Sequence, residues 1–104
     1  MSVSDHLADV QRYDSHATSD AVQAIVRSMA IGIHPEATRV HCEDPAELAA
    51  IRDNWCVRKL KLADREACDE AMTAVCEQMS GDRTKLRVTF CYLVAKKLGR
   101  LSQL

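Results

Sequence analysis

A chain of 104 residues, 47% hydrophobic and 28% charged with a formal net charge of −1, has the size of one domain and the composition of an ordinary globular protein, not of a disordered or collagen-like chain. Aromatic residues make up only 4%, so the core has to come from Leu, Ile, Val, Ala, Met and Cys, which favours packed helices over a β-sandwich. The charge is uneven: residues 1–50 carry −5 and residues 51–104 carry +4, a pattern that lets two halves of one fold attract each other or presents a basic surface to an anionic partner.

The first twenty residues carry Asp5, Asp9, Asp14 and Asp20 and no apolar run, so no secretory signal is read. "VTFCYLVA" near the C-terminus is too short to span a membrane. The expectation is a cytoplasmic protein with no membrane association. On that basis the five cysteines, at 42, 56, 68, 76 and 91 without a CxxC pair, are expected to be reduced. Cys68, Cys76 and Cys91 fall in apolar helical stripes and are expected to be buried and unpaired.

In chain order, "SDHLADVQRY" reads as a short first helix capped by Ser4, with residues 1–17 loosely attached. "DSHATSD" is a turn. "SDAVQAIVRSMAIG" places Val22, Ile25, Val26 and Met29 at helical spacing, with Ser19 as the cap and Gly32 as the stop. In the connector that follows, Pro35 pushes His34 away from helical geometry, and "ATRVH" suggests a brief extended piece. In "DPAELAAIRDNWCVRKLKL", Asp44 is the cap, Pro45 the first helical residue and Glu47 the third, a capping box reinforced by proline. Leu48, Ile51 and Trp55 line one face, with Cys56 and Leu60 beside them. Asp64 opens a fourth helix whose stripe is Cys68, Ala71, Met72, Val75, Cys76 and Met79, ended by Gly81. Asp82 or Thr84 opens the last helix, which stops at Gly99. Its segment "RVTFCYLVA" has strand-like composition, but no Gly or Pro interrupts residues 83–98. Leu86, Phe90, Leu93 and Val94 share one stripe and Val88, Cys91 and Ala95 another, so it reads as a central helix. The fold class is all-α: a single domain, 1–104, built as a compact bundle of four to five short helices.

Two basic clusters stand out. Arg58, Lys59 and Lys61 close the third helix, and Lys96, Lys97 and Arg100 close the last. Cations there face the negative end of the helix dipole, which accounts for both clusters structurally, at about 0.3–1 kcal/mol each. "VRKLKL" and "AKKLGRL" share this helix-ending grammar. The same six residues form the candidate interaction surface. No aromatic-rich basic platform or DNA-reading motif accompanies them, so nucleic acid is the alternative partner and is not favoured. His34, His41, Cys42 and Cys56 lack zinc-ligand spacing. No catalytic motif is present, Asp69 and Glu70 point different ways on one helix, and no catalytic residue, metal or cofactor is assigned. Trp55 and Tyr92 read as core residues with a polar edge at the surface.

From Ala37 onward, "EATRVHCEDPAELAAIRDNWCVRKLKL" and "KLRVTFCYLVAKKLGRLS" resemble the Domain-of-Unknown-Function 2853 family of small bacterial proteins. The shared pattern is an Ala–x–x–Val step, an Asp–Pro cap followed by Glu–Leu, an Asn before an aromatic, a Lys–Leu ending, and a Lys–x–Arg–x–x–Phe–x–Tyr–Leu block. The resemblance covers about two thirds of the chain and implies a small stand-alone helical domain with no assigned activity. The sequence departs from the pattern at Lys61, where the family's "KLGL" ending has Gly, and matches more loosely in the N-terminal part. The reading reached is a protein-interaction or regulatory module acting on a protein partner.

Overall fold

A computed structural model describes residues 3–29 and 39–104. The Gly32 stop and the His34–Pro35 step lie outside the described residues. Five helices follow one another: α1 (Val3–Gln11), α2 (Ser19–Met29), α3 (Pro45–Ile51), α4 (Arg65–Gln78) and α5 (Arg87–Lys97). α3 continues without a break into a π-helical segment, Arg52–Lys59, and a 3-10 turn, Leu101–Gln103, follows α5. Two short strands, β1 (Arg39–Val40) and β2 (Lys85–Leu86), pair antiparallel with Arg39 opposite Leu86 and Val40 opposite Lys85. Fold class follows the sequence reading: a mostly helical, compact bundle.

α5 is the central helix. Every residue from Val88 to Ala95 is buried, because α1, α2 and α4 pack around it and the small sheet abuts it. α4 turns Cys68, Ala71, Met72, Val75 and Met79 inward, the stripe read from the sequence. α2 contributes Val22 and Ile25.

The helix ends show which local signals prevailed. Asp44 accepts hydrogen bonds from the amides of Ala46 (3.0 Å) and Glu47 (3.3 Å), and Asp64 accepts from Ala67 (3.1 Å), both as expected of acidic N-caps. The capping box is only half formed, because the Glu47 carboxylate turns to His41 and Arg87 instead. The cap of α2 is Thr18, whose hydroxyl accepts from Ala21, and Ser19 is already helical. Ser4 likewise lies inside α1. α5 starts at Arg87, later than Asp82 or Thr84, because Lys85 and Leu86 are drawn into the strand pair and Leu86 stays extended. α4 ends at Gln78, with Met79 as its C-cap, before Gly81.

The ends of the π-helix and of α5 are built alike. Leu60 and Leu98 take the same near-helical cap conformation, and each is followed by a left-handed residue: Lys61 at φ 57° and Gly99 at φ 69°. After Gly99 the Arg100 amide reaches the Ala95 carbonyl at 2.8 Å, and after Lys61 the Leu62 amide reaches the Cys56 carbonyl at 3.0 Å. These bonds satisfy carbonyls left over at a helix end.

The expectation of reduced, unpaired cysteines is corrected. Cys42 is disulfide-bonded to Cys76, and Cys56 to Cys68. The α4 stripe, in which Cys68 is buried and Cys76, against expectation, only partly so, faces the π-helix and the turn after β1, and each of those presents one cysteine. Spacing along the sequence does not reveal such an encounter. Cys91 is the free thiol, fully buried as expected.

Acidic groups of the first half do meet cations and hydroxyls of the second. Asp14 accepts from the Tyr92 hydroxyl at 2.8 Å and pairs with Lys96 at 3.2 Å. Asp9 accepts from the buried Thr89 hydroxyl, and Glu47 pairs with Arg87 at 3.0 Å. One link runs the other way: Arg12 grips Asp82 through two bonds (3.1 and 2.8 Å), and the Tyr13 hydroxyl donates to the same carboxylate. Hydrogen bonds to the charged form hold Asp14, chiefly through Tyr92, and Asp82, chiefly through Arg12, below the usual carboxylate range.

Candidate functional site

The π-helix shapes a cleft on the surface of the bundle. Its wider turn is set by i→i+5 bonding, as where the Leu60 amide reaches the Trp55 carbonyl at 2.9 Å. Two adjacent side chains are held inward there. The Trp55 indole N–H donates to the Cys91 carbonyl on α5 at 3.1 Å, and Cys56 is bonded to Cys68 on α4. With Trp55 and Cys56 pinned, Asn54, Arg58 and Lys59 are left around the same concavity as Trp55.

The resulting cleft of about 540 Å³ lies between α2, α3 with its π-helical extension, and the start of α5. That volume suits a small ligand or a few side chains of a partner. Ala50, Ile51, Trp55 and Cys91 supply apolar walls, and Ser28, Asn54, Arg58, Lys59 and Arg87 supply polar ones. Three of the described lining residues are cations and none is a carboxylate.

The cations differ in their freedom. Arg87 is committed: it donates to the Arg39 carbonyl at 3.3 and 3.1 Å and to Glu47 at 3.0 Å. Those partners compensate for a cation at the positive end of a helix that has no side-chain cap. Arg58 and Lys59 have no ion-pair partner among the described residues. Among the described residues their charge therefore faces the cleft uncompensated, beside low-dielectric walls that strengthen its field.

The six candidate residues divide accordingly. Arg58 and Lys59 line the cleft. Lys61 lies just beyond, as the left-handed residue that ends the π-helix. Lys96 turns to Asp14, and neither it, Lys97 nor Arg100 lines the cleft. Arg87 and Asn54 escaped the sequence reading because neither sits in a run of like residues. The usable signal was an Arg entering an apolar helix, where a cation opposes the dipole and has to be held by something else.

Trp55 and Tyr92 are both buried, and their polar ends are bonded inside the protein to Cys91 and Asp14, which corrects the expectation of polar edges at the surface. Burial pushes the Cys91 thiol well above its ordinary pKa, with the Arg87 charge opposing weakly, so the cleft wall carries a protonated thiol rather than a nucleophile. Cys42 and Cys56 belong to separate disulfides, and His41 hydrogen-bonds to Glu47. Among the described residues no group of three or more His, Cys, Asp or Glu side chains is placed to hold a metal ion. Also among them, no helix is long and apolar enough to cross a membrane.

Comparison with curated proteins and with solved structures gives no significant match. A family model described as "Protein of unknown function (DUF2853)" matches residues 5–102. The match takes in α1 and α2, where the sequence pattern was loosest, as well as the cleft-forming segments. The chain therefore belongs to the DUF2853 family, whose function is not assigned.

Proposed function

We propose that this protein is a protein-interaction module whose cleft captures an acidic, partly apolar segment of a partner protein. One observation carries the reading: Arg58 and Lys59 have no ion-pair partner among the described residues and stand beside apolar walls. An occupant matched to that surface places an apolar side chain against Ala50, Ile51 and Trp55 and carboxylates against Arg58 and Lys59. Charge complementarity of this kind sets specificity and association rate. The nucleic-acid alternative is weaker because the Trp55 ring is buried and its N–H is spent on Cys91, which leaves no open aromatic face for base stacking among the described residues of the cleft.

The test is fluorescence anisotropy with a fluorescein-labelled peptide of alternating Glu and Leu. The expected result is saturable binding that weakens by about tenfold or more in the Arg58→Gln/Lys59→Gln variant, with no binding of the corresponding Lys–Leu peptide. Equal affinity of parent and variant contradicts the proposal. Preferential binding of a single-stranded oligonucleotide, with steep salt dependence, favours the alternative.

A further inference from the structure

The two disulfides differ in exposure and in what they hold. Cys56 and Cys68 are both completely buried, where no attacking thiolate reaches their sulfurs. Cys42 and Cys76 are both partly exposed. Thiol–disulfide exchange requires such access, and exposed bridges are the labile ones.

Cys42 sits in the turn between β1 and the Asp44 cap. The residues around it hold Arg87, a cleft-lining cation, from two directions. The Arg39 carbonyl accepts from Arg87 at 3.3 and 3.1 Å. Glu47 accepts from Arg87 at 3.0 Å, and also from the His41 amide at 3.2 Å, while its other carboxylate oxygen meets the His41 ring at 2.9 Å. Beyond these contacts and the Asp44 cap on α3, segment 39–44 is joined to the bundle, among the described residues, by a two-residue strand pair and buried Val40, a weak attachment on its own. The covalent link from this segment to α4 is Cys42–Cys76.

We infer that Cys42–Cys76 is a redox-responsive tether that fixes the Arg87 wall of the cleft, whereas Cys56–Cys68 is a permanent part of the core. Low-molecular-weight thiols open the tether. One thiolate attacks a sulfur of the bridge, forming a mixed disulfide and releasing the other cysteine as a thiolate that takes up a proton. A second thiol resolves the mixed disulfide. Two thiols are thereby oxidised to one small-molecule disulfide, and Cys42 and Cys76 are reduced to thiols. In a thiol-rich compartment the tether is open, segment 39–44 loosens, and the cleft loses its preorganised wall. This regulatory role rests on the proposal that the cleft is the binding site.

The experiment treats the folded protein with graded reduced glutathione, alkylates with iodoacetamide and maps the labelled cysteines. Cys42 and Cys76 are expected to label first, with Cys56, Cys68 and Cys91 protected until the protein is denatured. Trp55, the chain's one tryptophan, lines the same cleft, and its emission in the ligand-free protein is expected to shift as the first pair is reduced while far-UV circular dichroism is retained. The Cys42→Ser/Cys76→Ser variant is expected to show the shifted emission at every glutathione concentration. The Glu–Leu peptide is expected to bind the reduced protein about fivefold or more weakly. Reduction of Cys56–Cys68 at the same or lower glutathione concentration overturns the inference. So do unfolding on reduction of Cys42–Cys76, an unmoved Trp55 emission, or unchanged or tighter peptide binding. If the oxidised protein fails to bind the peptide at all, the binding-site proposal fails, and labelling order and ligand-free emission still decide whether the tether exists.

Discussion

Replacing Lys61 with Gly should stabilise the protein, although it removes a cation from a helix end. Lys61 has φ 57°, a left-handed conformation that costs an L-residue with a β-carbon about 1–2 kcal/mol. Glycine adopts it freely but surrenders about 0.5–1 kcal/mol of extra chain entropy on folding. Losing the charge costs about 0.3 kcal/mol more, the low end of the range for a helix-end cation, because Lys61 is solvent-exposed. The balance is a net gain of about 0.5 kcal/mol, or a rise of a few degrees in Tm for a domain of this size. Gly99 supplies the internal precedent, since it occupies the same position at the end of α5 with φ 69°. Lys61→Gln separates backbone from charge: it keeps the β-carbon and removes the cation, so it should be neutral or slightly destabilising. The assay is urea unfolding of the three proteins followed by circular dichroism, with the m-value checked for constancy. A Gly variant no more stable than the Gln variant would refute the argument, because strain at Lys61 would then contribute nothing.

Asp44→Ala removes the acceptor for the Ala46 and Glu47 amides and should lower the unfolding free energy by about 1 kcal/mol, measured by the urea midpoint. His6 is 1% exposed, and neither ring nitrogen has a hydrogen-bond partner among the described residues. Burial lowers its pKa from the ordinary 6.5, so the folded protein takes up this proton less readily than the unfolded chain. Stability tied to His6 is therefore complete above pH 6.5 and falls as pH drops below it. His6→Leu should flatten that part of the pH–stability curve and gain about 1–2 kcal/mol by removing orphaned polar atoms. Tyr92→Phe removes the bond that contributes most to the lowered pKa of Asp14. It should cost about 2 kcal/mol at neutral pH and move the onset of acid unfolding to higher pH, because Asp14's contribution is lost as pH falls through its folded pKa.

What the sequence made legible was local or periodic. The Asp44 and Asp64 caps, the α4 stripe, the all-round burial of α5 and the Gly99 stop each depend on residues within a turn or two of one another. The likeness of "VRKLKL" to "AKKLGRL" proved to be a shared backbone ending, in which Lys61 stands where α5 has Gly99. What stayed hidden was set by tertiary encounters. Cys42 and Cys76 are 34 residues apart in sequence, and nothing in either neighbourhood names the other. The start of α5 was displaced by a strand partner 47 residues away, since Arg39 pairs with Leu86. The cleft itself was half legible: Arg58 and Lys59 belonged to a visible cluster, whereas Arg87 joined them only because the fold brings the start of α5 against the π-helix.

The emission of Trp55 during titration with the unlabelled Glu–Leu peptide tests the central claim most directly, because this single tryptophan lines the cleft. Binding in the cleft predicts a saturable change in intensity or wavelength in the parent protein. In Arg58→Gln/Lys59→Gln that change should require about tenfold more peptide or more, and in Lys97→Gln/Arg100→Gln, outside the cleft, it should be unaltered. Saturable peptide binding with no change at Trp55, or a loss of binding that follows Lys97 and Arg100 instead, would contradict the account and place the interaction surface elsewhere on the molecule.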